Sequence, residues 1–175
     1  CVDGKLIGHN TDIAGFELSI RHCKYNANKK KALIIGAGGV VPSIIVALKK
    51  MNIEKIFVKN RSENNALNLK KKFPEINLID WNKTIDVDMI INATSIGLKK
   101  GEKLDIDLKK FGENKFFYDV IYNPKETNFL LDARKLGNLA ENGKMMFIYQ
   151  AHQAFSVWHK IFPVIDDEVI GIVEK

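Results

Sequence analysis

The chain has 175 residues, 46% hydrophobic and 27% charged, which suffices for one domain-sized core and is too apolar for a disordered chain. Apolar runs such as Leu33-Ile34-Ile35 fall far short of the roughly 20 residues a membrane helix needs, and no basic segment leads into an apolar one as in a secretory signal. Two cysteines (Cys1, Cys23) and four scattered histidines (His9, His22, His152, His159) make neither a disulfide framework nor a metal-ligand spacing, so a soluble, cytoplasmic, metal-free protein is expected.

The net charge of +6 rests on 27 cations, of which only Arg21, Arg61 and Arg134 are arginine. Readers of phosphate and base edges favour the guanidinium fork. No aromatic interleaves the lysine runs at 29–31 and 70–72, so those runs read as solvated helix ends and no nucleic-acid partner is expected. The chain opens on Cys1 rather than Met, directly into Val2-Asp3-Gly4, and reads as a piece of a longer protein.

In chain order, Thr11-Asp12 can cap a helix carrying Ile13, Phe16, Leu18 and Ile20. Short apolar, β-branched runs then predict strands at Ala32–Ile35, Lys55–Val58, Ile76–Ile79, Met89–Asn92, Phe116–Val120 and Asn138–Glu141. Amphipathic stretches predict helices at Pro42–Met51, Asn64–Phe73, Leu104–Phe111 and Thr127–Leu136. A long helix over Met145–Phe162 is closed by Pro163. Alternating strands and helices with continuously apolar strands argue for a doubly wound, mostly parallel α/β sheet of Rossmann-like type. That unit spans 29–145. Segments 1–28 and 146–175 fall outside the alternation and are expected to pack on, or connect to, something beyond the sheet.

The sharpest local feature is the strand-turn-helix Lys31-Ala-Leu-Ile-Ile-Gly36-Ala37-Gly38-Gly39-Val40-Val41-Pro42. Gly36 permits a tight turn, Gly38 removes a side chain where a pyrophosphate would approach backbone N–H groups, and the helix amino end favours the anion. A third fingerprint glycine is absent, since Val41 stands there. The next strand ends in Asn60-Arg61-Ser62, where an NAD site usually carries Asp or Glu. Guanidinium, amide and hydroxyl donors would instead hold a 2′-phosphate, so NADP is favoured. After the fourth strand, Asn92-Ala93-Thr94-Ser95-Ile96-Gly97 places small polar residues at the carboxyl edge, where such folds bind ligands.

Four segments combine with these: Asp3-Gly-x-x-x-Gly8-x-Asn10-Thr11-Asp12-x-x-Gly15, the glycine turn with Asn60-Arg61-Ser62, Asn92-Ala-Thr94-x-x-Gly97, and Asp119-Val-Ile-Tyr122-Asn123-Pro124-x-x-Thr127. Together with Asn142-Gly143-x-x-Met146-x-x-x-Gln150-Ala151 they resemble the shikimate dehydrogenase family over nearly the whole chain. The resemblance implies reversible NADPH-dependent reduction of 3-dehydroshikimate to shikimate in aromatic amino-acid biosynthesis.

Carried over residue by residue, the resemblance puts a substrate-binding and catalytic aspartate at Asp12, the dinucleotide loop at Gly36, Ala37, Gly38, Gly39 and Val40, and the adenosine-phosphate contacts at Asn60, Arg61 and Ser62. Thr94 and Val120 would border the nicotinamide, Gly143 would contact the cofactor, and Tyr122 and Gln150 would contact the substrate. Asn142 stands where Asp is usual, and Met145 where a small residue is common. The family's acid/base lysine, a Ser-x-Ser clamp and a substrate-binding asparagine lie in an N-terminal domain preceding this segment, and nothing here replaces that lysine by motif. Three readings stay open: the dehydrogenase itself, a quinate/shikimate dehydrogenase of relaxed cofactor choice, and a non-catalytic NADP-binding module. A homodimer is also left open.

Overall fold

The computed structural model describes residues 4–173; Cys1, Val2 and Asp3, named above, lie outside the described residues. Helix α1 (Thr11–His22) precedes β1 (Lys31–Ile35), α2 (Val41–Lys50), β2 (Lys55–Lys59), α3 (Glu63–Lys72), β3 (Asn77–Leu78), β4 (Met89–Asn92), a 3-10 turn (Leu108–Phe111), β5 (Phe116–Asp119), α4 (Asn128–Lys135), β6 (Leu139–Glu141), α5 (Lys144–His159) and α6 (Asp167–Ile172). The strands form one sheet in the order β3-β2-β1-β4-β5-β6, every pair parallel. The order reverses between β1 and β4, so the crevice of a doubly wound sheet opens above their carboxyl ends. In register, Lys59, Ile35, Asn92 and Asp119 form a row along that edge.

Period-two alternation sends the two halves of each strand to opposite layers. Ala32, Ile34, Ile56, Val58, Met89, Ile91, Phe116 and Tyr118 meet α2 and α3 on one face, and Leu33, Ile35, Ile90 and Phe117 meet α4 and the 3-10 turn on the other.

The flanking helices lie against the sheet. Phe16 and Ile20 of α1 are fully buried in the first layer, Phe16 edge-on to Tyr118 with centroids 5.3 Å apart, and Met146 of α5 joins the same cluster. Both helices thus pack on the sheet itself. The cap of α1 is Asn10, whose side-chain oxygen accepts from the N–H groups of Asp12 (3.0 Å) and Ile13 (3.4 Å), because Asn10 is extended (φ −96°) while Thr11 already begins the helix.

The helix expected at Leu104–Phe111 shrinks to one 3-10 turn. Leu104, Ile106 and Leu108 alternate with Asp105 and Asp107 and pack inward from an irregular stretch, a spacing of two that suits extended chain. Helix α5 ends at Lys160, in the left-handed conformation at φ 57°, ahead of Pro163. Pro163 restricts Phe162 beyond the helix, and it is the left-handed turn at Lys160 that ends α5 three residues sooner than expected. Among the described residues, no helix is long and apolar enough to cross a membrane.

Candidate functional site

The glycine turn sits at the carboxyl end of β1. Gly36 has φ +118°, and its N–H donates to the Lys59 carbonyl at 2.8 Å. A β-carbon there would stand 2.7 Å from the Ala93 carbonyl oxygen, so only glycine lets β1 turn this close to β4. Gly38 and Gly39 are exposed with nothing near their Cα hydrogens, leaving the outer side of the turn open. Helix α2 starts behind them with no side-chain cap, presenting the end of a helix that attracts anions. Ala37 and Val40 are half-buried and pack on the core beneath.

At the end of β2, the Asn60 amide donates to the Ser62 carbonyl at 2.7 Å and shapes the turn. Ser62 occupies the cap position of α3, yet its hydroxyl makes no cap hydrogen bond. Arg21 is tied to Glu17, and Arg134 to Glu126 and the Ala140 carbonyl. Arg61, by contrast, is exposed and has no partner among the described residues. Asn60 and Arg61 line a cavity of about 490 Å³ together with Leu78, Trp81 and Lys83.

Across the switch point, Asn92 and Asp119 are fully buried neighbours. The Asn92 amide donates to Asp119 at 3.0 Å, and Asp119 also accepts from the Ile121 N–H (3.1 Å) and the Thr127 hydroxyl (2.7 Å). Burial pushes the Asp119 carboxyl above its ordinary pKa, opposed by those hydrogen bonds. The Asn92 side-chain oxygen in turn accepts from both the N–H and the hydroxyl of Thr94, which fixes the first turn after β4.

Val120 follows directly, and Gly143 packs on its carbonyl. Beyond it, Tyr122 stacks on Phe147 with centroids 4.5 Å apart, and the Asn123–Pro124 peptide is cis. The side chain of Asn142 accepts from the Lys144 N–H and donates to the Lys125 carbonyl, two tasks of which an aspartate could perform only the first. Met145 is buried beside it.

Asp12 lies in the first turn of α1, half-buried, with no partner for its carboxylate among the described residues. Helices α1 and α5 cross closely at Gly15, where a β-carbon would stand 2.8 Å from the Gln150 Cβ. The Thr11 hydroxyl donates to the Gln150 side chain at 3.4 Å, and the Asn10 amide donates to Ser43 of α2 at 3.1 Å. The start of α1, the start of α2 and the middle of α5 are thereby joined. His152, two residues beyond Gln150, is instead paired with the Pro163 carbonyl.

The residues picked from the sequence separate into two groups along the carboxyl edge. Asn60, Arg61 and Ser62 follow β2, whereas Val120 and Tyr122 follow β5, three strand intervals away, or about 14 Å at the usual spacing. Gly36–Val40 and Thr94 lie between them. Such a span suits an extended two-part ligand. Sequence reasoning quoted Asn10 and Gly15 only as motif positions without a role, and gave Lys59 none. The Asn-Thr-Asp run offered three capping side chains, and which one was extended could not be read locally. Lys59, on the same face as Phe57, could have been found from strand alternation.

Residues 17–125 match the profile of the Shikimate / quinate 5-dehydrogenase family. The chain is 60% identical over 172 residues to the shikimate dehydrogenase (NADP(+)) of Pelagibacter ubique, covering 98% of this chain and 65% of that protein. It is 35% identical to the corresponding protein of Caldicellulosiruptor saccharolyticus, covering 98% of this chain and 64% of that one. The crystal structure of shikimate 5-dehydrogenase from Thermus thermophilus in complex with NADP(H) and shikimate superposes with a TM-score of 0.85 at 28% identity, over 99% of this chain and 64% of that one. The chain therefore spans just under two thirds of the relatives it matches.

Proposed function

This chain belongs to the shikimate / quinate 5-dehydrogenase family, and from that premise we propose that it forms the NADP-binding side and half the substrate cleft of a cytoplasmic enzyme that reversibly reduces 3-dehydroshikimate to shikimate. The observation that carries the cofactor choice is Arg61, an exposed guanidinium without a partner among the described residues, at the strand end where an NAD site would hold a carboxylate. In this reading residues 29–145 hold the cofactor, and 1–28 and 146–175 pack on that unit while connecting it to the remaining third of the longer relatives. Trp158, Phe162 and Val164, 76%, 76% and 78% exposed, give that connection an apolar surface.

The open turn from Gly36 to Val40 and the uncapped amino end of α2 fit a pyrophosphate. Asn60, Arg61 and Ser62 would hold a ribose phosphate, Thr94 and Val120 would border the nicotinamide, and Gly143 would contact the cofactor. When bound, the dinucleotide supplies a hydride for the carbonyl carbon of the substrate. The Asp12 carboxylate, without a partner among the described residues, would accept from a substrate hydroxyl and orient a lysine ammonium, which would stabilise charge growing on the carbonyl oxygen and donate the proton. The family resemblance assigns that lysine to the additional residues of the longer relatives. Tyr122 and Gln150 would complete the substrate side, holding it for attack.

The test is titration of the purified chain with NADPH and NADH, followed by assay with 3-dehydroshikimate. NADPH should bind at least about tenfold tighter than NADH, with no turnover. Equal affinity for the two would overturn the cofactor reading. Rapid dehydroshikimate-dependent oxidation of NADPH would overturn the division of labour.

A further inference from the structure

Lys59 closes β2 and is only 2% exposed, a rare position for a lysine. Its backbone carbonyl accepts the Gly36 N–H. Its ammonium donates to the Lys83 carbonyl at 2.6 Å, tying β2 to the helix-free segment 79–88 that carries the chain from β3 to β4. Among the described residues no carboxylate pairs with it, and the charge that bears on it is another cation, Lys110. Burial first, and Lys110 second, lower its pKa. A buried ammonium without a counter-ion is a costly arrangement. It stands one residue before Asn60, and its partner Lys83 lines the same cavity of about 490 Å³ as Asn60 and Arg61.

We propose that Lys59 is a specificity-determining residue: a buried cation that, with Arg61, makes the cavity beyond β2 selective for a dinucleotide bearing a phosphate on its adenosine ribose. The inference rests on reading Asn60-Arg61-Ser62 as the phosphate turn. Lys59 acts in two ways. Its bond to Lys83 holds the wall that faces the turn, and its charge raises the potential of a cavity that the Glu63 and Asp80 carboxylates also line. A purely mechanical strut would serve NADP and NAD alike, whereas an uncompensated charge favours the ligand with the extra phosphate.

Dissociation constants for NADP+ and NAD+ are measured on the unaltered chain, Lys59→Met, Lys59→Gln, Lys59→Arg and Arg61→Ala, with thermal melts to verify folding. Lys59→Met and Lys59→Gln should each weaken NADP+ about tenfold while changing NAD+ less than about twofold, and Lys59→Arg should stay within about threefold of the unaltered chain for NADP+. The glutamine variant keeps a donor for Lys83 and removes the charge, so the inference stays testable if the methionine variant does not fold. Equal losses for both cofactors, or no loss for either, overturn it. If Arg61→Ala leaves the ratio of the two constants intact, the phosphate turn itself is lost and this inference with it. If Arg61→Ala collapses the ratio while both neutral Lys59 variants preserve it, only the role of Lys59 is lost.

Discussion

Gly143 lies so close to Val120 that a β-carbon on it would stand 2.1 Å from the Val120 carbonyl oxygen, well inside van der Waals contact. The Gly143 N–H also donates to the Ile121 carbonyl at 3.1 Å. These two contacts clamp the turn between β6 and α5 onto the loop leaving β5, and so set the distance between two residues proposed to contact the cofactor.

Gly143→Ala should therefore separate these loops. Overpacking of this kind costs about 1–3 kcal/mol, so the melting temperature should fall and NADPH affinity should fall with it. Thermal unfolding with and without NADPH measures both. An unchanged melting temperature would show that the loops can move apart freely.

Asp12→Asn should leave the fold nearly intact, since Asn10 and not Asp12 caps α1. Only the attraction of a carboxylate to the helix amino end is lost, about 0.3–1 kcal/mol. In the full-length enzyme the same change should lower kcat by about a hundredfold or more, in the range general acid–base groups contribute, with NADPH affinity unaltered. Steady-state kinetics beside a cofactor titration checks this; an unimpaired kcat would remove Asp12 from the chemistry.

Asp88 should make the fold sensitive to acid. Burial raises its carboxyl, but the Lys31 N–H at 2.9 Å, the Lys30 ammonium at 3.2 Å and the charge of Lys115 outweigh burial and hold it below the usual carboxylate range. A carboxylate depressed in the fold adds stability above its unfolded pKa and loses it as the pH falls through the folded value. Asp88→Asn should cost about 1 kcal/mol at pH 7, as expected for a largely solvated charged contact. That gap should close only below the ordinary carboxylate range, as followed by denaturant melts across pH.

Asp119 has the opposite sign. Because its pKa is raised in the fold, stability declines as the pH rises from the unfolded carboxylate value through the folded one. Thr127→Val removes the 2.7 Å hydroxyl donor to Asp119 and the cap that accepts from Leu130. It should destabilise by about 2 kcal/mol at neutral pH and by less in acid, where Asp119 is protonated. A gap that did not shrink in acid would mean Thr127 acts through the cap alone.

Strand β4 was legible to the residue, because Met89-Ile90-Ile91 is a continuous apolar run suited to a parallel strand covered on both faces, and Asn92 begins the polar turn chemistry that ends it. The Gly36 turn and the Arg61 strand end were equally local, since turn chemistry and charge type are properties of a few consecutive residues. The family resemblance extended that reading to Asp12, Tyr122 and Gln150. What only the tertiary structure decided are contacts between distant residues: Thr11 with Gln150 across 139 positions, Lys59 with Lys83 across 24, and Gly143 against Val120. The burial of Phe16 and Ile20 in the sheet's own layer belongs with them. Periodicity states which face of a helix is apolar, but not what covers it. A lysine's burial or a glycine's crowding depends on which backbone the fold brings alongside, and that is set by packing rather than by neighbours in the chain.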